Sequence, residues 1–362
     1  MWQHIGSCRY IWNYMLSVQE QRYANNESHL SAYEMINLLK PLKNDGEHDW
    51  LYDISASSLQ IICRDLDKAY KSLFKGVARA PKFKSRRRSK AKFPICTDRF
   101  YLKDERYIQI QKLGKVRYKT DFDLPKGKGA VKYTNPRIEN ANGKWILSFG
   151  MESESQTREL TDKTMGIDLG VKDLAIAEFD GQQLTFHNIN KSKTIRTLKR
   201  KQAHLQRAIS RKYEANRSGK RFVRTKNIEK CEAQLRRIYA RLTNIRQNYI
   251  HQTTHTLVEY LPKRIVMEDL NVQGMMKNKH LSKAIQEQCF HEFIRQIEYK
   301  SEDRGIEFIQ ADRFYPSSKT CSHCGSVKTD LKLKDRTYVC EECGLVIDRD
   351  YNAAVNLSKY VA

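Results

Sequence analysis

Four cysteines near the end of the chain constrain its fold more than any other feature. Cys321, Cys324, Cys340 and Cys343 are spaced C-x2-C-x15-C-x2-C, and a glycine closes each pair, Gly325 and Gly344. Two short pairs, each followed by a residue free to turn back on itself, aim four thiolates at one ion. The spacing predicts a tetrahedral zinc site that folds a loop and leaves no coordination position open for chemistry. Directly after it, Asp348 and Asp350 lead into NAAVNLSKY, read as a helix with Asp350 as its N-cap.

The charge narrows the partner. Lys and Arg number 66 against 42 Asp and Glu, a formal net charge of +24, which calls for a polyanion. Nucleic acid fits better than a membrane. No apolar run nears the roughly 20 residues of a spanning helix, and the basic residues spread along the chain. The N-terminal MWQHIGSCRYIWNYML is aromatic and amphipathic, so no signal peptide is read. The scattered Cys8, Cys63, Cys96, Cys231 and Cys289 are odd in number and read as buried thiols in a reducing cytoplasm.

Residues 1 to about 80 show helical spacing. One stripe carries Ile5, Cys8, Tyr10, Ile11, Trp12, Met15, Leu16 and Tyr23; a second carries Leu59, Ile62, Cys63, Leu66, Ala69, Tyr70 and Leu73, with Ser55, Ser57 and Ser58 available as N-caps. The second helix runs into KGVARAPKFKSRRRSKAKF, where Lys82, Lys84, Arg86, Arg87 and Arg88 stand without an acid among them and are read as phosphate contacts, flanked by Phe83 and Phe93 as stacking surfaces. From about Phe93 to Met151 the period changes to two: RYIQIQKLGKVRYK, GAVKYTNPRIE and GKWILSFGME read as short antiparallel strands of a small β-barrel. The GKGA at 127–130 reads as a turn rather than a phosphate loop, because the sequence predicts no helix after it.

TMGIDLGVKDLAIAEFDGQQLTFHN then predicts three strands, the first holding Asp168 beside Gly170. An acid in an apolar strand is costly to bury unless it is paired or ligates a cation. Residues 191–258 predict a helical hairpin. Between Lys191 and Lys226 it carries fourteen basic residues against the single acid Glu214; Lys199, Arg200, Arg211 and Lys212 are candidate phosphate contacts. PKRIVMEDLNV reads as a buried strand whose end presents Glu268 and Asp269. A helix from about Lys283 to Arg304 and the strand IEFIQAD complete the approach to the cysteines.

Acids on a first strand, on a later strand and at a last helix start can converge. That order fits an α/β sheet of the ribonuclease H type, in which separated carboxylates hold two Mg2+ ions about 3.5 to 4 Å apart. Carboxylate oxygens suit Mg2+ or Mn2+ while thiolates suit Zn2+, so the two metals do not compete.

GIDLGVKDLA, IVMEDLNV and, above all, RFYPSSKTCSHCG followed by C-x2-CG and DRDYNAAVN resemble the TnpB (OrfB) proteins of insertion sequences, RNA-guided nucleases related to type V CRISPR effectors. The resemblance covers nearly the whole chain. It implies a helical recognition lobe with a basic tail (1–90), a wedge β-barrel (91–161) and an RNase H-like RuvC nuclease domain (162–362) that contains the hairpin 191–258 and a zinc insertion 317–347. It further implies catalytic Asp168, Glu268 and Asp350, with Asp348 as runner-up. The implied activity is Mg2+-dependent cleavage of double-stranded DNA beside a short adjacent motif, directed by a guide RNA from the transposon end, in a cytoplasmic, nucleoid-associated protein acting as a monomer with its RNA. Family members usually carry a further strand ahead of the segment resembling GSCRYIWNYML, so the first wedge strand is expected to be absent, its barrel edge left uncovered or covered by another part of the chain or by RNA. The alternative is a nuclease-inactive RNA-guided DNA-binding repressor, which would have no chemical need for Asp168, Glu268, Asp348 and Asp350.

Overall fold

A computed structural model describes residues 1–127, 133–152, 158–219, 221–332 and 335–361. The chain divides into two compact units, Met1–Ser153 and Glu154–Ala362. Apart from Gly127, the GKGA turn lies outside the described residues, as do the first residues of the strand read from Gly129.

The first unit opens with helices α1 (Trp2–Ala24), α2 (Ala32–Asn37), α3 (Leu39–Lys43) and α4 (Ala56–Phe74). Most of the predicted stripes of α1 and α4 is buried and meets in one core, but Tyr23, near the end of α1, is 84% exposed and Leu73, near the end of α4, is only half-buried. Helix α2, which the periodicity missed, is announced by a capping box of Ser31 and Glu34. Ser55 stands at the N-cap of α4 without capping it, because its hydroxyl donates to Gln111 Oε1 at 2.9 Å; Ser57 and Ser58 lie inside the helix. Strands β1 (Lys92–Pro94), β2 (Phe100–Leu102), β3 (Tyr107–Ile110), β4 (Gly114–Arg117), β5 (Tyr133–Ala141) and β6 (Lys144–Met151) follow. Among the described residues they form two three-stranded antiparallel sheets, β2-β3-β4 and β1-β5-β6. Phe93, read as a stacking surface, is instead 1% exposed and joins Ile95, Phe100, Leu102, Ile108 and Ile138 in the core of α1 and α4, so helices and strands of this unit fold around the same apolar interior.

The second unit is built on a five-stranded sheet. Its strands are β7 (Thr164–Leu169), β8 (Asp173–Phe179) and β9 (Gln182–His187), then β12 (Arg264–Glu268) and β13 (Glu307–Ala311), in the order β13-β12-β7-β8-β9. Strands β7, β12 and β13 are parallel, while β8 is antiparallel to β7 and to β9. Between β9 and β12 runs the helical hairpin, α5 (Lys193–Ala215) and α6 (Lys226–Glu259), joined through the two-residue strands β10 (Arg217–Ser218) and β11 (Arg221–Phe222). Ser192 and Thr225 cap the two helices, and Ile195, Leu198 and Leu242 pack between them.

The helix expected from Lys283 to Arg304 is broken. After α7 (Val272–Met276) come α8 (Ser282–Gln288) and α9 (Phe290–Arg304), separated by Cys289 at φ +55°. The break follows from Gln288, whose buried amide donates to Gly170 O at 2.9 Å and Val171 O at 3.3 Å, satisfying carbonyls of the β7–β8 turn. Helices α6 and α9 cover one face of the sheet, burying Met165, Ile167, Ile265 and Met267 with Leu257, Phe293 and Ile297. The hairpin β14 (Thr337–Val339) and β15 (Val346–Asp348) leads into α10 (Arg349–Ser358), which covers the opposite face through Leu357 on Val266 and Ala311. No helix among the described residues is long and apolar enough to cross a membrane.

Candidate active site and cysteine centre

Strand register brings two of the acids together. Gly166 pairs with Val266 and Ile167 with Met267; one step on stand Asp168 and Glu268. Side chains alternate across a strand, so both carboxyls leave the sheet on the face of Gly166 and Val266, the face covered by α10. They stand at the C-terminal ends of adjacent parallel strands, where open α/β sheets bind ligands.

The third acid comes from α10. Asp348, and not Asp350, is its N-cap: Asp348 Oδ1 accepts from Asp350 N at 2.9 Å and Tyr351 N at 3.1 Å. Asp350 therefore sits inside the first turn, with its carboxylate held by Arg349 at 2.7 Å and by Arg336 at 3.5 Å. Burial, followed by the charges of Glu268 and Asp350, holds the Asp168 carboxyl well above the ordinary range, and Arg349 opposes that rise. Burial also raises Glu268; a hydrogen bond from Ser317 pulls it back down, Asp350 pushes it up and Arg349 opposes. These acids feel one another's charge and offer hard oxygen donors of the kind that suit a divalent cation such as Mg2+, but among the described residues only the four cysteines bring their ligand atoms within 4.8 Å of one another.

The cysteines form a tighter cluster. All four Sγ atoms lie within 4.8 Å of one another, with Cys321–Cys343 and Cys324–Cys340 each at 3.6 Å. A tetrahedron of sulfurs around zinc at about 2.3 Å has edges of about 3.8 Å, so the arrangement fits that ion. Each pair is closed alike: Gly325 N donates to Cys321 O at 2.9 Å and Gly344 N to Cys340 O at 3.1 Å, with φ of +80° and +70° at the two glycines. Tyr338, fully buried, fills the space beside Cys321 and Cys340. Because β15 ends on Asp348, the same hairpin that carries the second cysteine pair sets the start of α10.

The sequence pattern missed several residues here. Ser317 bonds Glu268. Asn352 and Asn356, one turn apart on the buried side of α10, donate to the main chain just before the first cysteine; their spacing of four within NAAVN was the available signal. Arg349 was hidden as one more basic residue in a basic chain.

The predicted phosphate contacts separate into two groups. Lys82, Arg86, Arg87 and Arg88 are exposed, the arginines on a turn closed by Ser89 N donating to Ser85 O at 3.0 Å. Lys84 is instead folded in, its ammonium 3.2 Å from the centre of the Trp12 ring, where burial lowers its pKa to about 8. On the hairpin, Arg200 and Arg211 are exposed and share a stripe with Arg196 and Arg207, whereas Lys199 is tied to Glu287 at 2.6 Å and Lys212 is half-buried.

Three family models match the chain. Residues 290–357 match the Cas12f1-like TNB domain, residues 148–279 match the OrfB_IS605 model described as a probable transposase, and residues 1–28 match a helix-turn-helix domain of OrfB_IS605 type. A Streptomyces pristinaespiralis protein named as a candidate RNA-guided DNA endonuclease is 28% identical over 97% of this chain and 83% of its own length. InsQ of Escherichia coli K12, named in the same way, is 29% identical over 97% of this chain and 86% of its own. In fold the chain is similar to Cas12f1, solved with an sgRNA and target DNA, at a TM-score of 0.62 and 15% identity, covering 99% of this chain and 81% of that one.

Proposed function

Because the chain belongs to the TnpB family, we propose that it is an RNA-guided DNA endonuclease that cuts double-stranded DNA beside a short adjacent motif. The observation that carries this reading is the register that sets Asp168 and Glu268 side by side on the face where α10 supplies Asp350. Strand order β13-β12-β7-β8-β9, with only β8 reversed beside the three parallel strands and β9 following it, supports an RNase H-like RuvC domain over 162–362. The helical lobe (1–90) and the two small sheets within 91–161, as a wedge barrel, are assigned to guide RNA and target-motif recognition, and the zinc insertion to 317–347.

Asp168, Glu268 and Asp350 would hold Mg2+, two ions in the reading favoured here. Magnesium, when bound, supplies Lewis-acid polarisation of the scissile phosphate and of the attacking water. The chain's own part is placement. Register fixes Asp168 and Glu268, the cap at Asp348 fixes the turn bearing Asp350, and Arg349 and Arg336 steady its carboxylate. Cys321, Cys324, Cys340 and Cys343 would hold a structural zinc. The exposed arginines of 86–88 and of α5 offer the guide RNA and DNA a phosphate-binding surface. A repressor that does not cut would have no chemical need for Asp168, Glu268, Asp348 and Asp350.

The test is cleavage of a target plasmid by the purified chain with its copurifying RNA and Mg2+. Cuts that vanish in Asp168→Ala support the reading, and programmed cuts that survive it refute the site. Metal analysis that finds no zinc would refute the cysteine centre.

A further inference from the structure

The segment between β13 and the first cysteine reaches the acid site through one side chain. Ser317 is 1% exposed, and its hydroxyl donates to Glu268 Oε1. Its main chain is held on every side. Asn356 Nδ2 donates at 2.7 Å both to Ser317 O and to Thr320 O. Asn352 Nδ2 donates to Thr320 O at 2.7 Å while its Oδ1 accepts from Ser322 N at 3.0 Å. Tyr315 OH donates to Asn356 O at 3.2 Å. The anchors all lie on α10, the helix that carries Asp350, and the loop they hold runs directly into Cys321.

Glu268 needs such a brace more than Asp168 does. Asp168 has a short side chain with two torsions, on a strand position paired with Ile176. Glu268 has three side-chain torsions and ends its strand, so its carboxylate can swing unless something holds it. A serine hydroxyl can donate one hydrogen bond to one oxygen, leaving the other oxygen and further lone pairs for a cation. It also favours the ionised form of the acid that it touches.

We propose that Ser317 is a positioning residue that presents the Glu268 carboxylate for divalent-cation binding, and that through Ser317 the fold of the four-cysteine centre is coupled to the geometry of the acid site. The proposal rests on the reading of Asp168, Glu268 and Asp350 as a cation site. Ser317 does not itself touch the nucleic acid; it acts through Glu268.

The experiment is a Mn2+ titration of the RNA-free full-length chain, with free Mn2+ read by electron paramagnetic resonance, for the wild type, Ser317→Ala, Ser317→Thr and Asp168→Ala. Zinc content and melting temperature are measured on each. The Mn2+ binding of interest is the part that Asp168→Ala removes. Ser317→Ala is expected to weaken that binding by about tenfold at unchanged zinc content and with the melting temperature lowered only by the one lost hydrogen bond, with Ser317→Thr recovering most of it. In target cleavage the half-saturating Mn2+ concentration should rise by the same factor. Wild-type Mn2+ affinity in Ser317→Ala overturns the proposal. So does weakened binding accompanied by depleted zinc, since Ser317 would then serve the fold alone. If Asp168→Ala removes no Mn2+ binding at all, the cation-site reading itself falls, an outcome distinct from either.

Discussion

A Cβ built on Gly166 would stand 2.1 Å from the carbonyl oxygen of Ala354, so strand β7 and helix α10 touch backbone to backbone at that point. The contact continues at Ser358 N, 2.3 Å from the same built atom. Asp168 lies two residues beyond Gly166 on the same face, and Asp350 one helical turn before Ala354. One missing methyl group therefore sets how closely two of the three acids approach.

Gly166→Ala should push α10 off the sheet. Backbone cannot yield as a side chain can, so the cost is expected at the upper end of overpacking, about 3 kcal/mol or more, read by chemical denaturation. Cleavage should fall with it even below the melting transition, because Asp350 moves with the helix. Full cleavage in a destabilised Gly166→Ala would mean that Asp350 does not depend on this contact.

Asp348 and Asp350 divide two tasks between them. As the cap, Asp348 contributes about 1 kcal/mol to the start of α10, so Asp348→Asn, which can still cap, should keep most activity. Asp350→Asn removes a charge that Asp168 and Glu268 both feel and should abolish cleavage with little loss of stability. The reverse pattern in a cleavage assay at saturating Mg2+ would give the ligand role to Asp348.

The acid site should make the metal-free protein less stable as pH rises. The Asp168 and Glu268 carboxyls are raised in the folded state, so the native chain holds more protons than the unfolded one over the range above the ordinary carboxylate pKa of about 4. Unfolding free energy then falls as pH climbs from there through the folded pKa values. A divalent cation removes that penalty. The rise in melting temperature on adding Mg2+ should accordingly be larger at about pH 8 than at about pH 5. Asp168→Asn should melt higher than the wild type without metal at neutral pH and gain little from Mg2+. A Mg2+ shift independent of pH would count against coupled carboxyls.

The parts of this arrangement that could be read from residues alone are those with local signatures. The cysteine spacing, the apolar strand around Asp168 and the strand ending in Glu268 each announce themselves within a few residues. What stayed hidden depends on partners distant in sequence. Ser55 bonds Gln111 in place of its own helix, and the α8–α9 break answers carbonyls near Gly170. Asp348 takes the cap because β15 delivers the chain there in extended conformation, at φ −61° and ψ 132°. Periodicity found the strands of the first unit but could not say that they pair as two sheets, since pairing is decided by packing on α1 and α4.

Charge alone did not tell which basic residues face a polyanion, and the structure makes that question testable. Lys199 is occupied by Glu287 and Lys84 lies over Trp12, while Arg200 and Arg211 project from the exposed side of α5. Each arginine withdrawn from a phosphate should flatten the salt dependence of binding by about one unit of slope. Arg200→Gln with Arg211→Gln should therefore lower the slope by about two, as should a pair drawn from Arg86, Arg87 and Arg88, measured by fluorescence anisotropy on the copurifying RNA across a salt series. Lys199→Gln should leave the slope unchanged and instead lower the melting temperature slightly, because it takes one of two cations from Glu287 and leaves only Arg246, 3.3 Å away on α6. Equal slopes for all variants would mean that the hairpin's charge is solvated and that the RNA is held elsewhere.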